Sequence, residues 1–331
     1  MIPFDAMFAA VGHTLWAVSW QVCILAAIAL IAERFIRNAP PSFRYLLWLL
    51  VIIRLAVPFD IPLPAPAGDF VNLHIPLDFS PVDTGAVQPS LNIPNQAAAP
   101  FDPFPIAGLL WLIGFVSFVL YLATRFIKTR RLFSITEPVT RSDLCDLLNK
   151  YASDLGIRKK IGLFASRDES FHAPAVIGVI QPRIILPHEI VSAWTVQDIE
   201  PVLLHEMIHI RNRDLLVNWF QIILNGIYFF HPVIWLANSR IRKAREEICD
   251  DSSVARLHTE RERYSLSMIR IGEEFLQERK LTFAEVSFTE NGSSLGERIR
   301  RIMSGSYIPH RRLTALSLAA LCAIAVFGVM L

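Results

Sequence analysis

Four blocks of the chain are apolar over lengths that suit membrane crossing, and the stretches between them follow other periods. The blocks run from about residue 7 to 32, 42 to 57, 106 to 127 and 313 to 331. The second is short, and its Arg54 would have to reach toward the nearer interface before Pro58 ends it. Between the third and fourth blocks the pattern changes. Arg141 to Leu155 carries Leu144, Leu147, Leu148 and Tyr151 at helical spacing, which predicts an amphipathic helix. Ile161–Ala165, Ala175–Ile180 and Arg183–Leu186 are short β-branched runs broken by Gly178, Pro182 and Pro187, the pattern of a small twisted hairpin. The predicted class is a mainly α membrane protein: four transmembrane helices and one α+β domain with a small sheet.

Charge orients the blocks. Arg34, Arg37 and Arg44 flank the first turn, Lys128, Arg130 and Arg131 follow the third block, and Arg311-Arg312 precede the fourth. Residues 61–105 hold no Lys or Arg and many Pro, the composition of an extended outer loop. The positive-inside rule therefore places the N-terminus and that loop outside and residues 128–312 in the cytoplasm. A further apolar run, Leu215 to Ala237, is not read as a fifth span. Asn218, Gln221, Asn225 and His231-Pro232 interrupt it, and one crossing would separate His209 from Glu246. It is expected in the domain core or against the inner leaflet.

Composition agrees. A hydrophobic fraction of 53% in 331 residues exceeds what a soluble surface tolerates. The net charge of +2 gives no basis for direct nucleic-acid binding. The four cysteines lie far apart, without a CxxC spacing, so neither a disulfide framework nor a cysteine metal cluster is expected. The first block has no basic n-region and ends at Glu33-Arg34, so no cleavable signal peptide is expected there.

The chemistry centres on His205-Glu206-Met207-Ile208-His209. Positions i and i+4 share one face of a helix, so both imidazoles can reach one zinc ion, while Glu206 projects beside the metal as a general base for water. Chance would produce an HExxH in roughly one such chain in a hundred. Thr195 with Asp198 supplies a capping-box-like helix start. A catalytic zinc takes three protein ligands and a water. Glu246 is the leading third ligand, and Asp250, four residues on, shares its face and can orient a ligand histidine from behind. Glu247, about 100° around the helix, and then Asp251 are the alternatives, although a run of charge is more often a solvated face. Cys249 reads as a small buried residue rather than a thiolate ligand. Arg213-Asp214 is either an ion pair or a support for a ligand histidine. His231 caps a helix or approaches the site. His172, His188 and His258 have no partner at metal spacing.

With these motifs in order, the chain resembles the membrane metallopeptidases of the BlaR/MecR antirepressor family, peptidase family fifty-six of the metallopeptidases. The resemblance rests on Arg44-Tyr45-Leu46-Leu47-Trp48 with Arg54-Leu55 and Pro58, Ala173-Pro174 to Gly178, and Pro182 to Pro187. It continues through the HExxH, Arg213-Asp214, His231-Pro232 with Trp235, Glu246 to Asp250 and Glu297-Arg298-Ile299. It implies a gluzincin-type, zincin-like fold with one Zn2+, ligands His205, His209 and Glu246, and Glu206 as the catalytic residue. It also implies an edge strand around Val176, Ile177, Gly178 and Val179 that pairs with an extended peptide substrate. Signalling members continue into an extracytoplasmic penicillin-binding domain, whereas this sequence ends at Leu331. Direct β-lactam sensing by this polypeptide is therefore not expected, and a separate sensor partner is.

The expected function is a zinc metalloendopeptidase of the bacterial cell membrane, cutting a cytoplasmic or membrane-associated protein such as a transcriptional repressor. Self-cleavage near Ser287-Phe288 is a further expectation from the resemblance. The competing classes are a non-proteolytic receptor or scaffold with structural zinc, which would have no need of Glu206, and a quality-control protease of membrane proteins.

Overall fold

The computed structural model describes residues 4–36, 39–56, 103–168, 171, 173–257, 261–277, 292–305 and 315–330. Long apolar helices open the chain: α1 (Phe4–Phe35), α2 (Pro41–Ala56) and α3 (Phe104–Ser134). Strand β1 (Thr136–Pro138), α4 (Ser142–Asp154), β2 (Gly162–Ser166), β3 (Ala175–Ile177), β4 (Arg183–Pro187) and α5 (His188–Ala193) follow. Next come α6 (Val196–Asn212), α7 (Asp214–Ile227), α8 (Pro232–Leu257), α9 (Arg261–Gln277), α10 (Gly292–Met303) and α11 (Ala315–Met330). The protein is thus mostly helical with one small mixed sheet.

Among the described residues, two helical segments, Ala6–Phe35 and Phe104–Ile127, are long and apolar enough to cross a membrane. α2 and α11 are apolar but have 16 residues each. α1 and α3 approach closely because Gly12 lies against the Phe104 carbonyl and Gly108 against that of Phe8, where any Cβ would collide.

The sheet has the order β1-β2-β4-β3, with β2 and β4 parallel and both outer strands antiparallel to their neighbours. The hairpin expected from the alternation is β3–β4. β1 was not legible, being three residues long and ending in proline. Inward residues of β2 and β4, including Leu163, Ile184 and Leu186, pack on α4 and α6 through Leu144, Leu148, Leu203 and Leu204. A second core joins α1, α2, α7, α8 and α11, with Leu25, Phe43, Trp48, Leu224, Ile234 and Ile241 buried in it. The apolar first half of α8 therefore shares a core with the N-terminal helices, while its second half reaches the sheet-bearing lobe through Cys249.

Candidate metal centre

Thr195 starts α6: its hydroxyl oxygen accepts from the Asp198 amide at 3.3 Å, and the same hydroxyl donates to the Asp198 carboxylate at 2.8 Å. Leu203, Leu204, Met207 and Ile208 are fully buried on one face, which fixes the helix roll and turns His205 and His209 together toward α8. α6 stops at Arg213, which takes the left-handed conformation at φ 59°. The chain turns sharply there, and Asp214, the first residue of α7, folds back under His209.

His205 Nε2 and His209 Nε2 lie 3.1 Å apart, and Glu246 Oε2 of α8 is 3.3 Å from the first and 3.7 Å from the second. A tetrahedral zinc with bonds of about 2.0–2.2 Å separates its ligand atoms by about 3.3–3.6 Å, so this triangle has the size of one face of such a site. Of the alternatives, Glu247 turns away to accept from Arg44 of α2 at 2.7 Å, and Asp251 pairs with Arg301 of α10 at 2.6 Å.

Proton accounting supports the same use. The Tyr264 hydroxyl of α9 donates to Asp250 Oδ1 at 2.8 Å and lies 2.9 Å from His205 Nδ1. With its proton committed to Asp250, Tyr264 accepts from the imidazole, which leaves the Nε2 lone pair free. His209 Nδ1 donates to Asp214 Oδ2 at 2.6 Å, which turns its Nε2 toward the triangle. Both Nε2 atoms thus face the Glu246 carboxylate, and the three together make a donor set suited to a cation. The donor set could hold a metal ion.

Asp250 is fully buried and sits 3.5 Å from His205 Nδ1 with Tyr264 beside it. Arg298 of α10 grips it through two bonds of 2.7 and 2.9 Å and reaches Glu246 at 3.5 Å. Burial opposes ionisation of Glu246, yet the adjacent His205 and His209 imidazoles and Arg298 hold its carboxyl well below the usual range. For Asp250, too, Arg298 outweighs burial and lowers the pKa. Glu206 goes the other way: burial raises its carboxyl above the ordinary value, while His209 and His205 pull against that rise. Burial pushes the Cys249 thiol up to about 12. His209, Asp214 and Cys249 also cluster, but a neutral thiol is a poor ligand, and it stands on the Nδ1 side of His209 at 3.4 Å.

The expected substrate strand needs a correction. β3 is an edge strand beside α6, yet it ends at Ile177, so Val176 and Ile177 lie on it whereas Gly178 and Val179 do not. Gly178 has φ +83°, and a Cβ there would meet the Gln181 carbonyl, so the chain has already turned. His231 lies away from the metal triangle, near Cys23 of α1. Ser287 and Phe288, like His172 and His258, lie outside the described residues. Tyr264 and Arg298 were assigned no role from sequence. Arg298 stood out only as part of the Glu297-Arg298-Ile299 motif of the family resemblance.

The family model for BlaR1 peptidase M56 matches residues 13–302, nearly the whole chain. The regulatory protein BlaR1 of Bacillus licheniformis is 29% identical over 163 residues, 49% of this chain and 26% of that protein. The methicillin resistance mecR1 proteins of Staphylococcus aureus and Staphylococcus epidermidis are each 21% identical over 262 residues, 75% of this chain and 43% of theirs. The chain spans less than half the length of these curated relatives. M56 peptidases are as a rule zinc-dependent and membrane-associated, which agrees with the donor set and with the two long apolar helices. The fold, the site and the extent of the match together make this chain a member of the BlaR1 peptidase M56 family.

Proposed function

We propose that the chain is a membrane-embedded zinc endopeptidase that hydrolyses a peptide bond in a cytoplasmic or membrane-associated protein. The observation that carries this reading is the convergence of His205 Nε2, His209 Nε2 and Glu246 Oε2 within one ligand triangle, with Glu206 next to its first corner. Zinc in that triangle would acidify a water and draw charge from the scissile carbonyl. Glu206 would accept the water's proton and hand it on to the leaving amine. Asp214 and the Tyr264–Asp250 pair hold the two imidazoles in the tautomer that binds metal. The free edge of β3 at Val176 and Ile177 holds the substrate backbone extended beside α6.

In this reading α1, α2, α3 and α11 cross the membrane, the N-terminus and residues 61–105 lie outside, and residues 128–312 work from the cytoplasmic side. The names of the relatives favour a regulatory protease over general quality control; in this reading a transcriptional repressor is the substrate. Cleavage of the chain itself near Ser287 and Phe288 belongs to the same proposal. The test is Glu206→Gln, assayed for zinc content and for cleavage of an unfolded protein substrate. Zinc retained with cleavage lost by at least about 100-fold supports the role. Unchanged cleavage removes Glu206 as the base, and a wild type that binds zinc without cleaving any substrate favours the scaffold.

A further inference from the structure

α7 and the first half of α8 form a hairpin that is out of place in a water-facing domain. Its turn, Tyr228 to His231, rests on the middle of the two long apolar helices. Trp111 Nε1 of α3 donates to the Ile227 carbonyl at 2.7 Å, Gly114 faces the Phe229 ring, and Gly226 lies against Phe115 and Phe118. On α1, Cys23 Sγ is 3.8 Å from His231 Nε2. The apolar segments run from residue 6 to 35 and from 104 to 127, so both contacts fall near their midpoints. The legs return toward charged ends of the N-terminal helices: Arg240 pairs with Glu33 of α1, Glu247 pairs with Arg44 of α2, and Asp214 bonds His209 of the metal triangle. α7 has 14 residues, about 21 Å of helix, or roughly two thirds of a bilayer's hydrocarbon thickness.

The geometry points to a re-entrant hairpin that enters the bilayer from the metal-site side, turns near its centre and leaves by the same side, with lipid acyl chains covering its outer face. This rests on the reading of α1 and α3 as membrane spans. The outer face carries Leu216, Trp219, Ile223, Phe230 and Trp235, each about half exposed. It continues the surface of α3, whose apolar window is only 6% buried. A face level with the middle of such a span meets hydrocarbon rather than water.

Polar groups are managed as that setting requires. Gln221 donates to Asn238 at 2.8 Å, and Asn238 donates to Asn225 at 2.7 Å, so three amides lock the legs together on the inward side. Trp235 Nε1 is satisfied by the Phe229 carbonyl at 3.0 Å. Asn218 is exposed, but it lies in the second turn of α7, near the headgroups. The residues that argued against a fifth span thus serve a half-span, and both legs end on one side, which keeps His209 and Glu246 together. The metal triangle consequently sits at the membrane surface, and the bond it reaches lies in a membrane-proximal segment of the substrate.

The test uses the full chain in phosphatidylcholine–phosphatidylglycerol vesicles, with Cys23, Cys145 and Cys322 replaced by serine. Single nitroxides are attached to Leu216→Cys, Ile223→Cys, Phe230→Cys or Trp235→Cys, and to Leu110→Cys on α3. Collision with oxygen and with a water-soluble nickel chelate gives the depth of each label, and retained zinc content reports folding. The expected result is high oxygen and low nickel collision at Ile223 and Phe230, with depth increasing from Leu216 to Phe230. Nickel access there, with Leu110 still in lipid, overturns the hairpin and leaves the spans standing. Low collision with both reagents means that protein covers the face and overturns the lipid assignment. Nickel access at Leu110 as well means that α3 does not span, and the hairpin falls with it.

Discussion

Asp214 gives the account a quantitative handle because it touches the candidate metal site only through His209. Its Oδ2 lies 2.6 Å from Nδ1, and the side chain is 5% exposed, so the charge is poorly screened and the bond fixes both tautomer and ring angle. Removal of such a backing carboxylate costs about 10–100-fold in metal affinity, or about 1.4–2.7 kcal/mol. Asp214→Asn keeps an acceptor and loses the charge, so about tenfold is expected. Asp214→Ala also frees the ring. Its remaining neighbour, the Cys249 thiol at 3.4 Å, is held neutral by burial and cannot replace a carboxylate, so the loss approaches about 100-fold. The assay is competition for zinc against a chromophoric chelator, with His188→Ala as a control away from the site and circular dichroism to confirm the helices. An Asp214→Ala variant within about twofold of wild type would refute the reasoning, because His209 would then need no support from behind.

Other consequences follow from the same contacts. Arg298→Met strands the fully buried Asp250 carboxylate and should cost about 3–5 kcal/mol in denaturant unfolding, much of it recovered in the double variant with Asp250→Leu; no loss would mean that Asp250 is neutral in the fold. Thr195→Ala removes the α6 cap and should cost about 1 kcal/mol, read in the same experiment. The Asp198 carboxyl is lowered by its bonds to Thr195 and Arg270, so its contribution is present above the unfolded pKa and is lost as pH falls through the folded one. The stability gap between wild type and Asp198→Asn should therefore close below roughly pH 4, and a gap that persists there would refute the ionic part of the argument. Gly178→Val meets both a positive φ and the Gln181 carbonyl, so it should destabilise the β3–β4 turn by about 1–3 kcal/mol and weaken any substrate held on that edge.

What the sequence disclosed was local in character. The HExxH needs only the helical repeat, so the convergence of His205 and His209 could be read without a fold. Glu246 and Asp250 share a face by the same arithmetic, and burial around Cys249 turns that face toward α6. The supports came harder. Asp214 is adjacent in sequence, but its place under His209 depends on the left-handed corner at Arg213, a conformation that an arginine does not advertise. Tyr264 and Arg298 arrive from α9 and α10, 59 residues beyond His205 and 48 beyond Asp250, and no spacing rule spans such separations. Along the run from Leu215 to Ala237 hydropathy weighs each polar residue singly, and so could not show that Gln221 and Asn225 both bond Asn238 across two helices. Three-residue strands such as β1 offer too few positions for an alternation to register.

Metal content tests the central claim most directly. Purified protein, its His205→Ala and its Glu246→Ala variants would be analysed for zinc by elemental spectrometry alongside a cleavage assay on an unfolded substrate. The account predicts about one zinc per wild-type chain, with zinc and cleavage lost together in both variants. Wild-type protein without zinc, or a His205→Ala variant that keeps it, would contradict the site.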